Sequence, residues 1–251
     1  MRKLNAPGDS VQDVFSTCIE SYRDAALKNR LRSIVPVLSD EASRFEDCVL
    51  TSKTHTIPTA DNVGGVVSKA EMLDIYESKF VKGTGRPYYD KYMSLPTNGK
   101  CPFCGIGTVS TLDHYLPKSK YPALAITPKN MIPACRDCNL GKKRTFSPQN
   151  SEEEPLHPYF DDVEQDIWLS VRFEVAGKEL VPTYFVRKPV AWNDLLFRRV
   201  ENHMVLYNLY TSYAVHAAEE ITGRSGIWHV FLDRCGEDFL AASLTTATFP
   251  L

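Results

Sequence analysis

The chain has 251 residues, 43% of them hydrophobic and 24% charged, with a formal net charge of -2 at pH 7. That is the balance of a globular protein long enough to bury a sizeable core, and no run approaches the roughly 20 apolar residues of a membrane span. The start of the sequence has two basic residues but no apolar stretch, so a secretory leader is not expected.

Val11, Val14, Phe15, Cys18, Tyr22 and Ala25 recur at helical spacing and predict one helix over 9–31. Pro36 interrupts the chain, and Ser39-Asp40 can cap a second helix carrying Ala42, Phe45 and Val49. Residues 51–65 are polar, contain Pro58 and Gly64-Gly65, and read as a loop. Ser68 and Glu71 form a capping box. The helix it opens bears Met72, Ile75, Tyr76 and Phe80 and closes at Lys82-Gly83. Arg86, Tyr88, Tyr89, Lys91 and Tyr92 then mix basic and aromatic side chains. Packing a helix onto its neighbour is the commoner use of such tyrosines; contact with nucleic acid is the alternative.

The centre of the chain is its most informative part. After a turn at Asn98-Gly99 come two Cys-x-x-Cys pairs, Cys101/Cys104 and Cys135/Cys138. Four thiolates in two such pairs make a closed tetrahedral zinc site, and a site with no open position is structural. Between the pairs, residues 108–112 predict a strand ending at Asp113-His114. A proline-punctuated loop over 117–128 follows, and residues 131–134 lead into the second knuckle. A helix is expected over 138–144. Charge is uneven: residues 100–144 carry eight basic and two acidic side chains, whereas 145–251 carry eight and sixteen. A local positive excess is what a phosphate-binding surface requires.

Beyond it, residues 147–158 are an acidic, proline-containing connector, and His157 reads as a buried loop histidine or as a side chain reaching the metal site. Residues 168–175 and 179–186 predict paired strands joined across Ala176-Gly177. Asn193 can cap a long helix with an apolar stripe of Leu196, Val200, His203, Tyr207, Tyr210, Ala214, Ala217 and Ile221, ended by Gly223 and Gly226. His203 lies on that stripe and reads as a core histidine. One more helix is expected over 227–244. Cys18, Cys48 and Cys235 lie in helix-like apolar contexts, as small buried hydrophobes of a reducing, cytoplasmic compartment do.

The central segment resembles the HNH, or ββα-metal, endonucleases in their zinc-knuckle branch. The matching residues are Asp113-His114 at the strand end, Asn130 before the second apolar run, and Asn139 directly after Cys138. The family usually carries His at that last position, so this is an HNN variant. The resemblance covers residues 101–144 and implies a general base at His114, oriented through the amide of Asn130. It implies Asp113 and Asn139 as ligands of a catalytic ion. A carboxylate and an amide oxygen form a hard pair that suits Mg²⁺ or Mn²⁺. Lys118, Lys120, Lys142 and Lys143 are the expected phosphate contacts.

The expected fold is α+β: a zinc-stapled ββα core over 98–160, inserted between an N-terminal helical segment (1–97) and a C-terminal strand-plus-helix segment (161–251). The implied activity is metal-dependent endonucleolytic cleavage of DNA. Helical flanks around such a core resemble the nuclease subunits of bacterial anti-phage defence systems, which commonly work with an ATPase partner. A non-catalytic zinc module that binds nucleic acid or protein, and an RNA-directed nuclease, remain as alternatives.

Overall fold

The computed structural model describes residues 1–141, 146–177, 179–224 and 226. The helix expected over 227–244, Cys235, Lys142, Lys143 and Arg144 lie outside them. The fold is α+β, with short antiparallel strand pairs set among helices.

The first expected helix is two. Helix α1 (Val11–Glu20) is capped by Ser10, whose hydroxyl accepts from the Asp13 N–H at 3.1 Å. Helix α2 (Ala25–Arg32) starts afresh because Asp24 Oδ1 accepts from the N–H groups of Ala26 and Leu27 at 2.8 and 3.2 Å. A carboxylate that satisfies two orphan donors stabilises a new helix start more than the apolar period favours continuation. Helix α3 (Val35–Leu50) also begins earlier than expected, with Pro36 in its first turn rather than as a breaker. There a proline's missing N–H costs nothing.

The loop over 51–65 contains a 3₁₀ turn at Thr54–Thr56 and the first of two short strands, β1 (Asn62–Val63) and β2 (Val67–Ser68). Gly64 and Gly65 turn the chain between them with φ of +60° and +69°, a region that disfavours side chains. The capping box at Ser68 and Glu71 is complete and opens α4 (Lys69–Asp74). Glu71 also takes an ion pair from Arg30 of α2 at 2.5 Å. The helix then widens into a π-helical stretch, Ile75–Val81. Helix α5 (Arg86–Met93) lays Tyr89 and Tyr92 against Phe80, at centroid distances of 6.0 and 6.3 Å, so these tyrosines pack the helix.

Strand β3 (Thr111–His114) pairs antiparallel with β4 (Met131–Ala134), Asp113 opposite Ile132 and His114 opposite Met131. Helix α6 (Arg136–Gly141) follows. One hydrophobic core joins Phe15, Leu38, Met72, Phe80 and Tyr92 of the helical segment to Leu112, Ala125, Ile126 and Met131 of the centre. Each of the buried Phe, Leu, Ile and Met side chains stabilises by about 1.5–3 kcal/mol, so the helices and the ββ unit support each other.

Two compact units are present: residues 1–168 with 188–208, and residues 169–187 with the described residues beyond 208. In the first, α7 (Asp194–Leu206) is capped by Asn193, whose Oδ1 accepts from the Leu196 N–H at 2.8 Å. Buried Arg199 forks onto Asp161 at 2.9 and 2.7 Å and donates to the carbonyls of Glu154 and Pro155, which anchors the connector. The long helix expected beyond Asn193 is broken at Tyr207-Asn208, where Asn208 has φ +53°. A further helix over 209–224 includes Gly223. The second unit holds the expected hairpin, β5 (Leu169–Ala176) with β6 (Glu179–Val186). Within that unit Tyr184 meets Tyr213 edge to face at 5.7 Å. Among the described residues no helix is long and apolar enough to cross a membrane.

Candidate metal centre and active site

The two knuckles meet. The sulfurs of Cys101, Cys104, Cys135 and Cys138 all lie within 4.8 Å of one another, and all four residues are buried. Cys104 and Cys135 are 3.8 Å apart, sulfur to sulfur. That is the tetrahedron edge set by Zn–S bonds of about 2.3 Å. Each knuckle is drawn tight by its backbone. Gly105 N–H donates to the Cys101 carbonyl at 2.7 Å, and Cys101 N–H to the Gly107 carbonyl at 2.8 Å. Gly107 N–H reaches Cys104 Sγ at 3.3 Å, and Cys138 N–H reaches Cys135 Sγ at 3.5 Å. A side chain at Gly107 would begin 2.8 Å from both Cβ and Sγ of Cys135, so glycine is required for the knuckles to close on each other.

Four sulfurs this close cannot all be anionic by themselves. Hydrogen bonds from Cys101, then from Cys135 and Cys138, hold Cys104 far below an ordinary thiol, while Cys101 and Cys138 are pushed up. A divalent cation removes the conflict by favouring all four thiolates. The donor set therefore fits a metal such as zinc. Among the described residues it is the sole cluster of three or more His, Cys, Asp or Glu side chains able to hold one.

Strand β3 delivers Asp113 and His114 to opposite faces, the alternation any strand imposes: His114 is buried and Asp113 half-exposed. His114 Nε2 lies 2.9 Å from the Ala125 carbonyl. A carbonyl only accepts, so Nε2 carries a proton, and in the neutral form of the ring the lone pair is on Nδ1. The ring edge packs on Tyr76 of the π-helical stretch, 4.8 Å between centroids. Asp113 Oδ1 accepts from the His114 N–H at 2.8 Å.

Asn130 is wholly buried, just before β4. Its Oδ1 accepts from the Leu116 N–H at 2.8 Å, and its Nδ2 donates to the carbonyls of Leu116 and Leu124, both at 3.0 Å. With the Tyr115 N–H on the Asn130 carbonyl at 2.8 Å, this one residue cross-ties both ends of the loop that follows His114. The loop includes Ala125, the partner of the His114 ring. Asn139 sits half-exposed on α6, which packs on β3, and its N–H donates to the Cys135 carbonyl at 3.1 Å.

Lys118 is engaged within the protein: its ammonium pairs with Glu77 at 2.6 Å and lies over the Tyr76 ring at 3.7 Å. Lys120 is half-exposed, and its carbonyl accepts from the Ala60 N–H at 3.0 Å. Lys129 pairs with Glu46 at 2.5 Å. His157 is wholly buried among Phe45, Tyr115, Tyr159 and Phe160, and its Nδ1 accepts from the Tyr159 N–H at 3.2 Å. His203 is a core histidine: Nε2 lies 2.9 Å from the Phe103 carbonyl, and burial pushes its pKa down to about 3. Tyr76 and Glu77, which bear on His114 and Lys118, were not legible as site residues. Helical periodicity marks Tyr76 only as core.

No protein-family profile matches the chain, and no solved structure matches it. Among curated proteins, it is 28% identical over 243 residues to "Protein ea31" of Escherichia phage lambda, covering 90% of this chain and 80% of that one. It is also 31% identical over 102 residues to "Septu protein PtuB" of Bacillus thuringiensis. That alignment spans 38% of each chain, so the likeness to the Septu protein is partial.

Proposed function

We propose that the chain is a metal-dependent endonuclease that hydrolyses phosphodiester bonds of DNA, with His114 as general base. The observation that carries this reading is the His114 ring. Its Nε2 donates to the Ala125 carbonyl, so the neutral ring offers its lone pair at Nδ1, one residue along the strand from Asp113. Such a ring takes a proton from a water that attacks phosphorus. Asn130 keeps the ring's partner loop fixed, so the base need not reorganise during the reaction.

Asp113 and Asn139 are the residues that would hold the catalytic ion. Both are half-exposed oxygen donors, a set that fits Mg²⁺ or Mn²⁺ and leaves several positions for water and phosphate. Bound there, the ion supplies the Lewis acidity that stabilises charge on the scissile phosphate and the departing 3′ oxygen. The four-cysteine zinc site is structural. Lys118, Lys120, Lys142 and Lys143 hold flanking phosphates; Lys118 also pairs with Glu77 and lies over the Tyr76 ring.

The partial likeness to a Septu protein supports a role in anti-phage defence. The resemblance to nuclease subunits of such systems adds an ATPase partner to that proposal.

The test is incubation of the protein with supercoiled plasmid and Mg²⁺ or Mn²⁺, with and without EDTA and the ATPase partner. Cleavage should need the ion, and His114→Ala should retain zinc and fold while losing cleavage by roughly 10²-fold or more. Full cleavage by a well-folded His114→Ala protein removes His114 from the mechanism. Metal-independent binding without cleavage in any arm would leave a zinc-containing binding module.

A further inference from the structure

Seven residues of π-helix, Ile75–Val81, follow α4 where the apolar period predicts an ordinary helix. Such widenings are rare and concentrate at functional sites. This one is built in. At its exit a Cβ on Gly83 would lie 2.8 Å from the Ser78 carbonyl oxygen, and the Thr84 hydroxyl donates to the Thr17 carbonyl of α1 at 2.7 Å. The wide turn brings the adjacent Ile75 and Tyr76 inward together with Phe80, and all three are buried. Tyr76 stacks on Phe80 at 5.5 Å and 25°.

From that core Tyr76 reaches the strand end. Its ring meets the His114 imidazole edge to face, 4.8 Å between centroids and 64° between planes. The chain beyond His114 comes back to the same ring. Lys118 lays its ammonium over the Tyr76 ring at 3.7 Å, and Glu77 holds that ammonium at 2.6 Å. A cation over an aromatic face is attracted by the ring quadrupole. Tyr76 is therefore gripped by Phe80 and Lys118 where it abuts the imidazole. The Nε2 bond to the Ala125 carbonyl fixes one corner of the imidazole. A flat ring against it fixes the plane, and with the plane the direction in which Nδ1 points.

We propose that Tyr76 is a positioning residue for His114. Its ring is the wall against which the imidazole stands while Nδ1 takes the proton of the attacking water, and the Lys118–Glu77 pair keeps that wall in place. The catalytic use of this position rests on the endonuclease reading; the contact itself does not. The π-helical stretch thereby gains a purpose. It delivers Tyr76 to the imidazole and its neighbour Glu77 to Lys118, from outside the segment that carries the two knuckles. Tyr76 is 5% exposed, too little to meet DNA, so it should act on turnover and not on substrate binding. A displaced reacting group costs about 10²-fold per Å, and a base whose plane is unsettled should cost about tenfold.

The test is Tyr76→Met, which fills the space with a flexible apolar chain and no plane, beside Tyr76→Phe, which keeps the ring. An isotope label at the histidine Cε1 of the zinc-loaded proteins reports the NMR order parameter of each imidazole, and His114→Ala assigns the His114 signal. In Tyr76→Met the His114 order parameter should fall from the rigid range near about 0.85 toward about 0.6. His157 and His203, which pack on other rings, should not change. For plasmid cleavage with Mn²⁺, kcat should fall roughly tenfold with KM unchanged, and Tyr76→Phe should match the wild type throughout. Glu77 is exposed, so Glu77→Gln is safe for folding. By loosening Lys118 from the ring it should lower the His114 order parameter in the same direction and by less, which keeps the test open if Tyr76→Met loses zinc. A His114 order parameter unmoved by Tyr76→Met, or one that falls together with those of His157 and His203, overturns the proposal. Where Tyr76→Met loses zinc, an unmoved His114 in Glu77→Gln overturns it. Absence of Mn²⁺-dependent cleavage by the wild type, with or without the ATPase partner, overturns the endonuclease reading instead, and the order parameters still decide whether Tyr76 holds the ring.

Discussion

Asn130→Ala should be among the most damaging single changes in the first unit, although it removes no charge and little apolar surface. The amide makes three hydrogen bonds, to Leu116 N–H, Leu116 carbonyl and Leu124 carbonyl. All are buried. Each bond is worth about 1 kcal/mol net, and a buried N–H left without an acceptor costs about 1–3 kcal/mol more. The Leu124 carbonyl keeps one donor, the Thr127 N–H at 3.3 Å, so its loss is the mildest. The sum is about 3–5 kcal/mol against a typical total of about 5–15 kcal/mol. The assay is urea unfolding followed by tyrosine and tryptophan fluorescence, with zinc measured alongside. Asn130→Asp sharpens the test. It has the same shape and can still accept from Leu116, but it cannot donate to either carbonyl and turns a negative oxygen toward them. It should be no more stable than Asn130→Ala. If Asn130→Ala lies within about 1 kcal/mol of the wild type, or Asn130→Asp matches the wild type, the amide does not hold the loop and the account of His114 orientation fails.

Gly107→Ala should lose zinc without touching a cysteine, since the new Cβ would lie 2.8 Å from both Cβ and Sγ of Cys135; wild-type zinc content and melting in this variant would show that the knuckles can part without cost. His203 should make the protein acid-sensitive. Its folded pKa of about 3 lies below the unfolded value of about 6.5, so between these values the unfolded state binds more protons and stability falls as pH falls, by up to about 1.4 kcal/mol per pH unit. Replacing it by His203→Gln, which can still donate to Phe103, should narrow the gap to the wild type progressively from pH 7 to pH 4, while the cysteines contribute equally to both proteins; a gap independent of pH would mean that His203 titrates normally.

Covalent pattern made much of this legible. Two Cys-x-x-Cys pairs can close on one metal in few ways, and the four sulfurs do converge. The capping box at Ser68 and Glu71 and the cap at Asn193 were readable because a side chain three residues from its partner N–H is local geometry. The break between α1 and α2 was masked by an apolar period that runs through Tyr22 and Ala25, although Asp24 carried the stop in plain view. Pro36 was misplaced for a related reason: a proline that ends one helix and a proline that begins another look alike in one dimension. Long-range pairing could not be read at all. Lys118 pairs in space with Glu77, forty-one positions away, and nothing in the local sequence pointed to that partner. The break at Tyr207-Asn208 likewise hides in an unbroken stripe, because the left-handed turn costs an asparagine little.

The hairpin of β5 and β6 leaves the first unit at Trp168 and the chain re-enters it at Lys188. Both ends of that excursion are fastened within the first unit. The Trp192 indole N–H donates to Asp166 at 2.7 Å, the Trp168 indole N–H donates to the Val163 carbonyl at 3.0 Å, and the two indoles lie 6.3 Å apart. Lys188 pairs with Asp194 at the start of α7. These contacts close on one another within the first unit, so they do not depend on the length of the excursion. Lengthening a tethered excursion adds only the slow logarithmic entropy of a longer loop, about 0.6 kcal/mol per doubling. Residues 169–187 can therefore lengthen or shorten while Arg199, Asp161 and the connector they anchor stay in place.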